Sequence, residues 1–287
     1  MLGIADVVVV AYADYQMVAK SLAAFKQIQM AILDEIAGIC KENNLKYYLA
    51  YGTLIGAVRH KGYIPWDDDV DICLVRDDYE KLISILKDRN LNKVEWLSVI
   101  DSRDERGHFY HPFAKAVDNR TEVKMDRHKD TIGIWVDLFP LDGLSNSMFK
   151  AKSQFLVCSF LRIVALAMSA DFSSRTLSFG TLLYKRFFYV VASLIGKKRI
   201  CRLTERIMRH YTVKDSKYIG MLFSAYLFDA IFEKERLLPQ ASYEFEDRHY
   251  TGFADYDYYL GQSYGDYMTL PPEDKRITHD FDAWWKE

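Results

Sequence analysis

The feature that most constrains this chain is a group of aspartates set in an apolar segment, WDDDVDICLV at residues 66–75. A solvated acidic loop usually carries Ser, Asn, Lys and Glu around its acids, whereas these neighbours are Ile, Pro, Trp, Val and Leu. Acids that alternate with hydrophobic residues predict a strand, on which side chains two positions apart share a face. We therefore expect Asp69 and Asp71 to project together. Asp67 joins them if the strand begins early, while Asp68 points the other way.

A third acid, Asp137, lies in a similar apolar frame, GIWVDLFPLD, on another predicted strand. A carboxylate inside such a strand is costly to bury without a partner. Two neighbouring carboxylates raise each other's pKa unless a cation lies between them, and hard oxygen ligands suit Mg²⁺ or Mn²⁺ better than zinc. Asp69, Asp71 and Asp137 thus form a candidate two-metal site for attack on phosphorus.

A Gly-Thr pair precedes the acids at a predicted strand–helix turn. Backbone N–H groups at Gly52 and Thr53, together with a helix N-terminus, would favour an incoming phosphate. A lone DxD is weak evidence, since chance and calcium loops both produce it. A G-[ST] turn, then DxD on the next strand, then an acid on a later strand is the nucleotidyltransferase pattern, and this chain has all three.

Periodicity predicts strands interleaved with helices over residues 17–145. Asp77, with Glu80 three residues later, resembles a capping box at a helix start. The elements expected are helices over Met17–Asn43, Leu54–Arg59 and Asp77–Arg89, and strands in KYYLAYG and at Val94–Ile100, Phe113–Val117, Gly133–Leu138 and after Asp69. We expect an α+β fold: a nucleotidyltransferase-like mixed β-sheet core flanked by helices, with a helical basic and apolar insertion and a Tyr-rich C-terminal region.

Composition limits the function classes. The 287 residues are half hydrophobic, which allows a sizeable core, and the formal net charge of −2 excludes a globally basic nucleic-acid binder. The four cysteines are widely spaced without a CxxC pair, which favours reduced thiols in the cytoplasm. The first residues lack the basic start of a signal peptide. We expect three parts: a catalytic core over 15–148, a helical basic segment over 149–212, and a C-terminal part over 213–287 that completes the active site.

The segment 150–209 holds twelve Lys or Arg and only two acids, a local charge of +10. Its apolar runs are too short or too interrupted to span a bilayer. Basic and apolar residues at helical spacing suit a helix in a membrane interface, and we expect attraction to an anionic membrane, with Phe155, Leu161 and Phe188 among the inserting residues. The alternative is a helical subdomain whose apolar faces pack on the sheet and whose charges are solvated.

Three blocks of the sequence resemble a known family. YGTLIGAVRHKGYIPWDDDVDI, GIWVDLFPLDG and YGDYMTLPPEDKRITH are similar to the LicD family of phosphotransferases, relatives of fukutin. The resemblance implies a nucleotidyltransferase-type fold and transfer of phosphocholine from CDP-choline onto a cell-surface glycan precursor of the teichoic acid, capsule or lipopolysaccharide type. Related branches transfer ribitol or glycerol phosphate from CDP-alditols. A lipid-linked acceptor would place the protein on the inner face of the cell membrane.

The resemblance also implies roles for single residues. The metal ligands would be Asp67, Asp69 and Asp71, with Asp137 as the further acid, holding Mg²⁺ or Mn²⁺. The zinc-binding cysteines of the animal relatives have no counterpart here, so we expect no structural zinc. The reaction would consume a CDP-activated donor and release CMP.

Basic and aromatic residues near these motifs are further candidates. The nucleotide or phosphate contacts would be Gly52, Thr53, Arg59, Lys115, Lys275 and Arg276, although a solvated basic loop also accounts for Arg59. The indoles of Trp66 and Trp135 adjoin the acids and are candidates for cation–π contact with choline, or else core residues. Two other hypotheses stay open: a true nucleotidyltransferase that releases pyrophosphate, and an inactive membrane-attached module that binds Ca²⁺ or glycan.

Overall fold

A computed structural model describes residues 11–12, 15–17, 22–88, 90–102, 111–125, 131–167, 179–224, 226–276 and 281–286. The α-helices in these ranges are α1 Leu22–Glu42, α2 Tyr51–His60, α3 Arg76–Lys87, α4 Met148–Ala167, α5 Phe179–Ile195, α6 Lys197–Met208, α7 Lys234–Leu237 and α8 Tyr256–Tyr264. The strands are β1 Ala11–Tyr12, β2 Tyr15–Met17, β3 Tyr47–Leu49, β4 Asp71–Val75, β5 Leu97–Ile100, β6 Ala114–Asp118, β7 Thr121–Met125, β8 Trp135–Gly143, β9 Tyr218–Gly220, β10 Ile231–Glu233, β11 Gln240–Phe245, β12 Arg248–Phe253 and β13 Phe281–Trp285.

A nine-stranded mixed sheet forms the centre of the described chain. Its main path runs β10-β9-β8-β4-β3-β12-β11, and β6 also pairs with β8 and carries β5 at its outer side. The pairs β4–β8 and β3–β12 are parallel, and the remaining pairs are antiparallel. Helices flank this sheet, so the predicted mixed-sheet core is confirmed. A second sheet, ordered β1-β2-β13-β7, joins strands from both ends of the chain.

The first long helix follows its predicted apolar stripe. Phe25, Ile32, Leu33 and Ile36 are at most 2% exposed and belong to the main hydrophobic core. The prediction of a helix from Met17 is wrong at its start, because Met17 ends β2 and pairs with Trp284. The helix begins at Leu22 in the described residues.

The acidic motif enters the sheet later than predicted. The strand β4 begins at Asp71, so Asp69 precedes it and the alternation argument does not govern Asp69. The capping box is also wrong: α3 begins at Arg76 after Val75, with no side-chain cap. Asp78 instead accepts a hydrogen bond from the Lys46 N–H at 3.1 Å, which ties the helix to the start of β3.

The described parts of the basic segment are mainly helical, as predicted, and α4 packs on the core by one side. Ala151, Phe155 and Cys158 of α4 are fully buried in the main core. A small second cluster joins α4 to α5 and α6 through Val164, Ala165, Ala192 and Ile200. Among the described helices, none is long and apolar enough to cross a membrane.

Strands from the C-terminal part complete the same sheet. The β11–β12 hairpin extends the sheet beyond β3 through the parallel β3–β12 pair, and α8 follows it. The Asp255 side chain caps α8 by accepting a hydrogen bond from the Tyr258 N–H at 3.1 Å. The division into 15–148, 149–212 and 213–287, with the last part completing the active site, stays a prediction.

Candidate active site

Three charged residues lie side by side across neighbouring strands at the centre of the sheet. Asp71 on β4 is the register partner of Asp137 on β8, and Asp137 is the register partner of Lys115 on β6. The Lys115 ammonium contacts Asp137 Oδ1 at 2.6 Å, with both side chains close to 10% exposed. Since register partners share a face of a sheet, these strands align an acid, an acid and a cation in one row.

The loop before β4 gathers three more carboxylates. One ligand oxygen from each of Asp67, Asp68 and Asp69 lies within 4.8 Å of the others, close enough for one cation. The prediction that Asp68 points away from the other acids is therefore wrong. The prediction assumed a strand, but these three residues form an irregular segment before β4, where the two-residue period does not apply.

The carboxylates of this loop interact electrostatically with Asp71. Burial raises the pKa of Asp71 well above its usual range, and Asp137, Asp69 and Asp67 raise it further, in that order. Lys115 opposes the shift. Burial also raises the pKa of the Asp67 carboxyl, and Asp68 adds to that effect. Burial is thus the main reason that the pKa values of Asp71 and Asp67 are raised, and the neighbouring carboxylates add to it.

This donor set fits a divalent cation. Clustered carboxylate oxygens are the ligands that Mg²⁺ and Mn²⁺ prefer, and a cation would relieve the repulsion that raises the pKa of Asp71. Asp67, Asp68 and Asp69 converge on one point, while Asp71 and Asp137 lie beside them in the sheet. The ligand set predicted from the sequence, Asp67, Asp69, Asp71 and Asp137, falls within this group.

The Gly-Thr pair positions the acids. It lies in the first turn of α2 instead of in a separate turn before a helix. The Thr53 hydroxyl accepts a hydrogen bond from the Asp71 N–H at 2.8 Å, which fixes the first residue of β4. A Cβ atom on Gly52 would come within 2.5 Å of Asp67 Oδ2, so only glycine leaves room for that carboxylate.

An aromatic group covers the sheet next to Asp71. The Tyr51 ring lies 5.1 Å from Phe139 and 5.9 Å from Tyr226, and Tyr226 lies 4.9 Å from Tyr264. Burial raises the pKa of both Tyr226 and Tyr264, and the charge of Asp71 makes a smaller contribution to each shift. Tyr51 has a φ of 46°, a strained backbone for a non-glycine residue, at the entrance to α2.

Comparison with known proteins shows what this chain is similar to. Residues 44–157 match the LicD/FKTN/FKRP nucleotidyltransferase domain. The lipopolysaccharide cholinephosphotransferase LicD of Haemophilus influenzae is 28% identical over 250 residues, which cover 86% of this chain and 91% of that protein. The chain is thus similar to the LicD family, through this domain and through one relative aligned over most of its length.

Other similar proteins align over less of their length. The human ribitol 5-phosphate transferase FKRP is 30% identical over 115 residues, 40% of this chain and 20% of that protein. An uncharacterised protein of Rickettsia prowazekii is 53% identical over 45 residues, 17% of that protein. The LicD match at 44–157 contains every acid of the site, together with Thr53 and Lys115.

Two of the remaining predicted contacts, Arg59 and Arg276, have partners within the protein. The Arg59 guanidinium donates to the Tyr267 carbonyl at 2.6 Å and to His60 Nε2 at 2.9 Å. Arg276 donates to the Pro271 carbonyl at 3.0 Å, and its guanidinium lies 4.7 Å from the Trp66 ring centre. The Lys275 side chain lies outside the described residues. The phosphate roles of these three basic residues stay predictions.

The two tryptophans differ in their surroundings. Trp135 is 6% exposed, and the Lys115 ammonium lies 4.3 Å from its ring centre. Trp66 is half-buried beside Arg276. Each indole already receives a cation of the protein on its ring, and a choline contact at either stays a prediction.

Sequence reasoning missed two residues of α1 that serve the acidic loop. Gln29 is fully buried and donates through Nε2 to the carbonyls of Asp68 at 2.9 Å and Trp135 at 3.2 Å, joining the loop to β8. The Lys26 ammonium interacts with the charges of Asp67 and Asp68, while burial lowers its pKa. The available signal was a glutamine inside an otherwise apolar helix face, beside Ile28 and Ile32.

Proposed function

We propose that this chain transfers a phospho-alcohol group from a CDP-activated donor to a sugar hydroxyl of a cell-surface glycan precursor, with release of CMP. The class of the reaction follows from the relatives, which are named as a cholinephosphotransferase and a ribitol 5-phosphate transferase. Phosphotransferase activity is common to both names. The observation that carries the proposal is the row Asp71–Asp137–Lys115 beside the Asp67–Asp69 loop within a LicD domain.

The acids have distinct proposed roles. Asp67, Asp69 and Asp71 hold the divalent cation, and Asp68 belongs to the same cluster. Bound there, Mg²⁺ or Mn²⁺ would supply positive charge to the phosphoryl oxygens of the donor. Asp137 orients the acceptor hydroxyl and takes up its proton, while Lys115 holds Asp137 through one carboxylate oxygen.

The proposed chemical step is a displacement at phosphorus. The acceptor oxygen forms a bond to the phosphorus that carries the alcohol, and the bond from that phosphorus to the bridging oxygen of CMP breaks. The electron pair leaves with CMP, and the hydroxyl proton passes to Asp137. No oxidant or further reactant is required. Gln29 and Thr53 support the step by fixing the backbone of the acidic loop and of Asp71.

Phosphocholine is the proposed transferred group. The relative aligned over most of the chain is named as a cholinephosphotransferase. The aromatic group at Tyr51, Tyr226 and Tyr264 adjoins Asp71, and aromatic rings beside a carboxylate suit a quaternary ammonium. Ribitol or glycerol phosphate is the alternative, favoured by the match to the ribitol 5-phosphate transferase.

The acceptor is proposed to be a lipid-linked glycan precursor at the inner face of the cell membrane. Lipopolysaccharide is the acceptor class that the name of the Haemophilus relative gives, and teichoic acid and capsule precursors are the other candidates. All four cysteines are buried and unpaired, which suits a reducing compartment.

The test is a donor panel with product identification. Purified protein is incubated with Mg²⁺, extracted glycan precursors and either CDP-choline, CDP-ribitol, CDP-glycerol or CTP with phosphocholine. We expect CMP release and a phosphocholine-modified glycan, detected by mass spectrometry, with CDP-choline alone. Modification from a CDP-alditol would replace the donor assignment. Pyrophosphate release from CTP would favour a nucleotidyltransferase, and cation or glycan binding without turnover would favour an inactive binding module.

A further inference from the structure

The exposed apolar surface of this protein is concentrated on its basic helical segment. Twelve of the sixteen large hydrophobic side chains that are exposed in the described chain lie between Met148 and Leu203. Exposed apolar residues scattered singly are ordinary, whereas a concentrated patch marks an interaction surface. We therefore expect a binding partner to cover this apolar patch.

The helix α4 is apolar on two opposite sides. Its inner side is buried in the core through Ala151, Phe155 and Cys158. Its outer side carries Phe149, Leu156, Phe160 and Ile163 at helical spacing, with exposures of 80%, 53%, 52% and 36%. The predicted membrane contacts Phe155 and Leu161 are wrong, because these residues are 0% and 7% exposed and face the protein.

The next helix, α5, widens the patch. Phe187, Val190 and Leu194 are 63%, 56% and 79% exposed. A ring contact joins the two helices, because Phe188 of α5 lies 6.0 Å from Phe160 of α4. Within α5, Phe187 lies 5.3 Å from Phe188. The apolar surface is thus two helices wide, which suits a broad, flat partner better than a single docking helix.

Basic residues accompany the apolar patch. Exposed cations of the described segment include Lys150, Lys152, Arg186, Arg199 and Arg206. The segment from 150 to 209 carries a charge of +10 in a chain of net −2. Apolar side chains with adjacent cations complement a bilayer that has anionic headgroups.

A groove between α4 and α6 repeats this chemistry. It has a volume of about 430 Å³ and combines three basic side chains, Lys150, Arg206 and His210, with the apolar side chains of Val157 and Leu203. Such a lining suits a phosphate headgroup together with the first part of its acyl chains.

The segment is linked to the central sheet by an ion network that includes one buried pair. Arg76 makes two hydrogen bonds to Asp142 on β8, both 2.7 Å, and also contacts Glu80. Arg209, just after α6, contacts the same Glu80 at 2.5 Å. The strand β8 carries both Asp137 and Asp142 and leads into α4. A partner that binds α4 would therefore also fix the position of the candidate active site relative to that partner.

We propose that the outer faces of α4 and α5 dock this protein on an anionic lipid bilayer, with Phe160 and Leu194 inserted and the flanking Lys and Arg residues at the headgroups. The transfer reaction plays no part in this inference. It is tested with the full chain and sedimented vesicles of phosphatidylcholine, with and without phosphatidylglycerol, at low and high salt.

The informative variants are the double substitution Phe160→Ser with Leu194→Ser, and the double reversal Arg186→Glu with Arg199→Glu. Matched controls outside the segment are Leu91→Ser, which also removes a half-exposed leucine, and Lys93→Glu, which also reverses an exposed cation. All these positions are solvent-exposed, so unchanged thermal unfolding checks that each variant is folded.

We expect wild type and both controls to bind the anionic vesicles, less strongly as salt rises. The serine pair and the glutamate pair should each lower the partition coefficient by about tenfold or more. Absence of vesicle binding by folded wild type, or binding equal in the serine pair, would overturn the proposal. A wild-type dimer that the serine pair dissociates, without vesicle binding, would overturn it in favour of a second copy as the occupant.

Discussion

Asp71 and Asp137 are register partners on the parallel strands β4 and β8, with Lys115 bonded to Asp137 from the antiparallel strand on the other side. Asp137 is therefore paired with a cation, whereas the charges nearest to Asp71 are mostly negative. Burial and three acidic neighbours raise the pKa of Asp71, whereas the ammonium of Lys115 is held at 2.6 Å from Asp137. A divalent cation beside Asp71 would balance this charge, which is the physical basis for the predictions below.

Removing the Asp71 charge should stabilise the metal-free protein. A carboxyl whose pKa is raised by folding contributes stability below its unfolded pKa of about 4, and this stability is lost as pH rises through the folded value. The free energy of unfolding of Asp71→Asn should therefore exceed that of wild type at neutral pH, and the difference should shrink toward pH ~4. Urea unfolding in EDTA across this range measures it.

Saturating Mg²⁺ provides the control for this prediction. The cation should stabilise wild type and leave Asp71→Asn almost unchanged, because a ligand that binds only the folded state adds to its stability. Equal Mg²⁺ stabilisation of both proteins would contradict the assignment of Asp71 as a ligand.

Gly52 should be intolerant of a methyl group for a local reason. In Gly52→Ala, the new Cβ would lie 2.5 Å from Asp67 Oδ2, so the carboxylate must leave its place in the cluster. We expect a loss of Mg²⁺ affinity of roughly tenfold or more, equivalent to ~1.4 kcal/mol. Isothermal titration with Mg²⁺ or Mn²⁺ measures the change.

Gly38→Ala is the matched control for that variant. Gly38 lies inside α1 with nothing within 4 Å of an added Cβ. Alanine there should stabilise the helix by up to about 1 kcal/mol and leave metal affinity unchanged. Equal metal affinity in the two alanine variants would argue against Gly52 as the residue that makes room for Asp67.

The Arg76–Asp142 pair should matter for stability more than any surface ion pair. Asp142 is 1% exposed and receives two hydrogen bonds from Arg76. Removing one partner of a buried pair leaves an uncompensated charge, so Arg76→Met should cost about 3–5 kcal/mol of unfolding free energy. Lys81→Met is the control, since Lys81 is largely exposed and 4.0 Å from Asp78; it should cost under ~1 kcal/mol. Similar losses in both variants would refute the special role of the network.

Substitution of Asp137 distinguishes a role in the active site from a purely structural role. Asp137→Ala should lower turnover, because it removes the group that takes up the hydroxyl proton, and it leaves Lys115 without its 2.6 Å partner. Turnover per folded molecule, with the folded fraction taken from circular dichroism, is the measurement. Normal turnover in the folded fraction would return Asp137 to a purely structural role.

Local patterns predicted the elements that form the site. The apolar period of α1 and the apolar frame of Asp137 correspond to a real helix and a real central strand. The pairing of Asp71 with Asp137 was beyond such patterns, because strand register is decided by contacts between segments more than sixty residues apart. The direction of the Asp68 side chain was predicted wrongly, because the two-residue period of a strand was applied to residues that lie in an irregular loop before β4.

Side-chain partners were the least predictable part. Arg59 follows Gly52 and Thr53 in α2, yet its guanidinium bonds to Tyr267, more than two hundred residues away. Phe155 and Phe160 belong to the same apolar run, and only the packing of α4 against the sheet decides that the first is buried and the second exposed. The partners of Arg59 and the different exposure of Phe155 and Phe160 thus depend on tertiary contacts, which the local sequence does not predict.

The most direct test of the central claim is turnover by wild type and Asp71→Asn in one experiment. Both proteins receive CDP-choline, Mg²⁺ and extracted glycan precursor, and CMP and phosphocholine-modified glycan are quantified together. We expect equimolar CMP and modified glycan from wild type and none without a divalent cation. Folded Asp71→Asn should be at least tenfold slower, a loss of about 1.4 kcal/mol or more of transition-state stabilisation. A folded Asp71→Asn that keeps more than about a tenth of the wild-type rate would contradict the assignment of Asp71 to the active site.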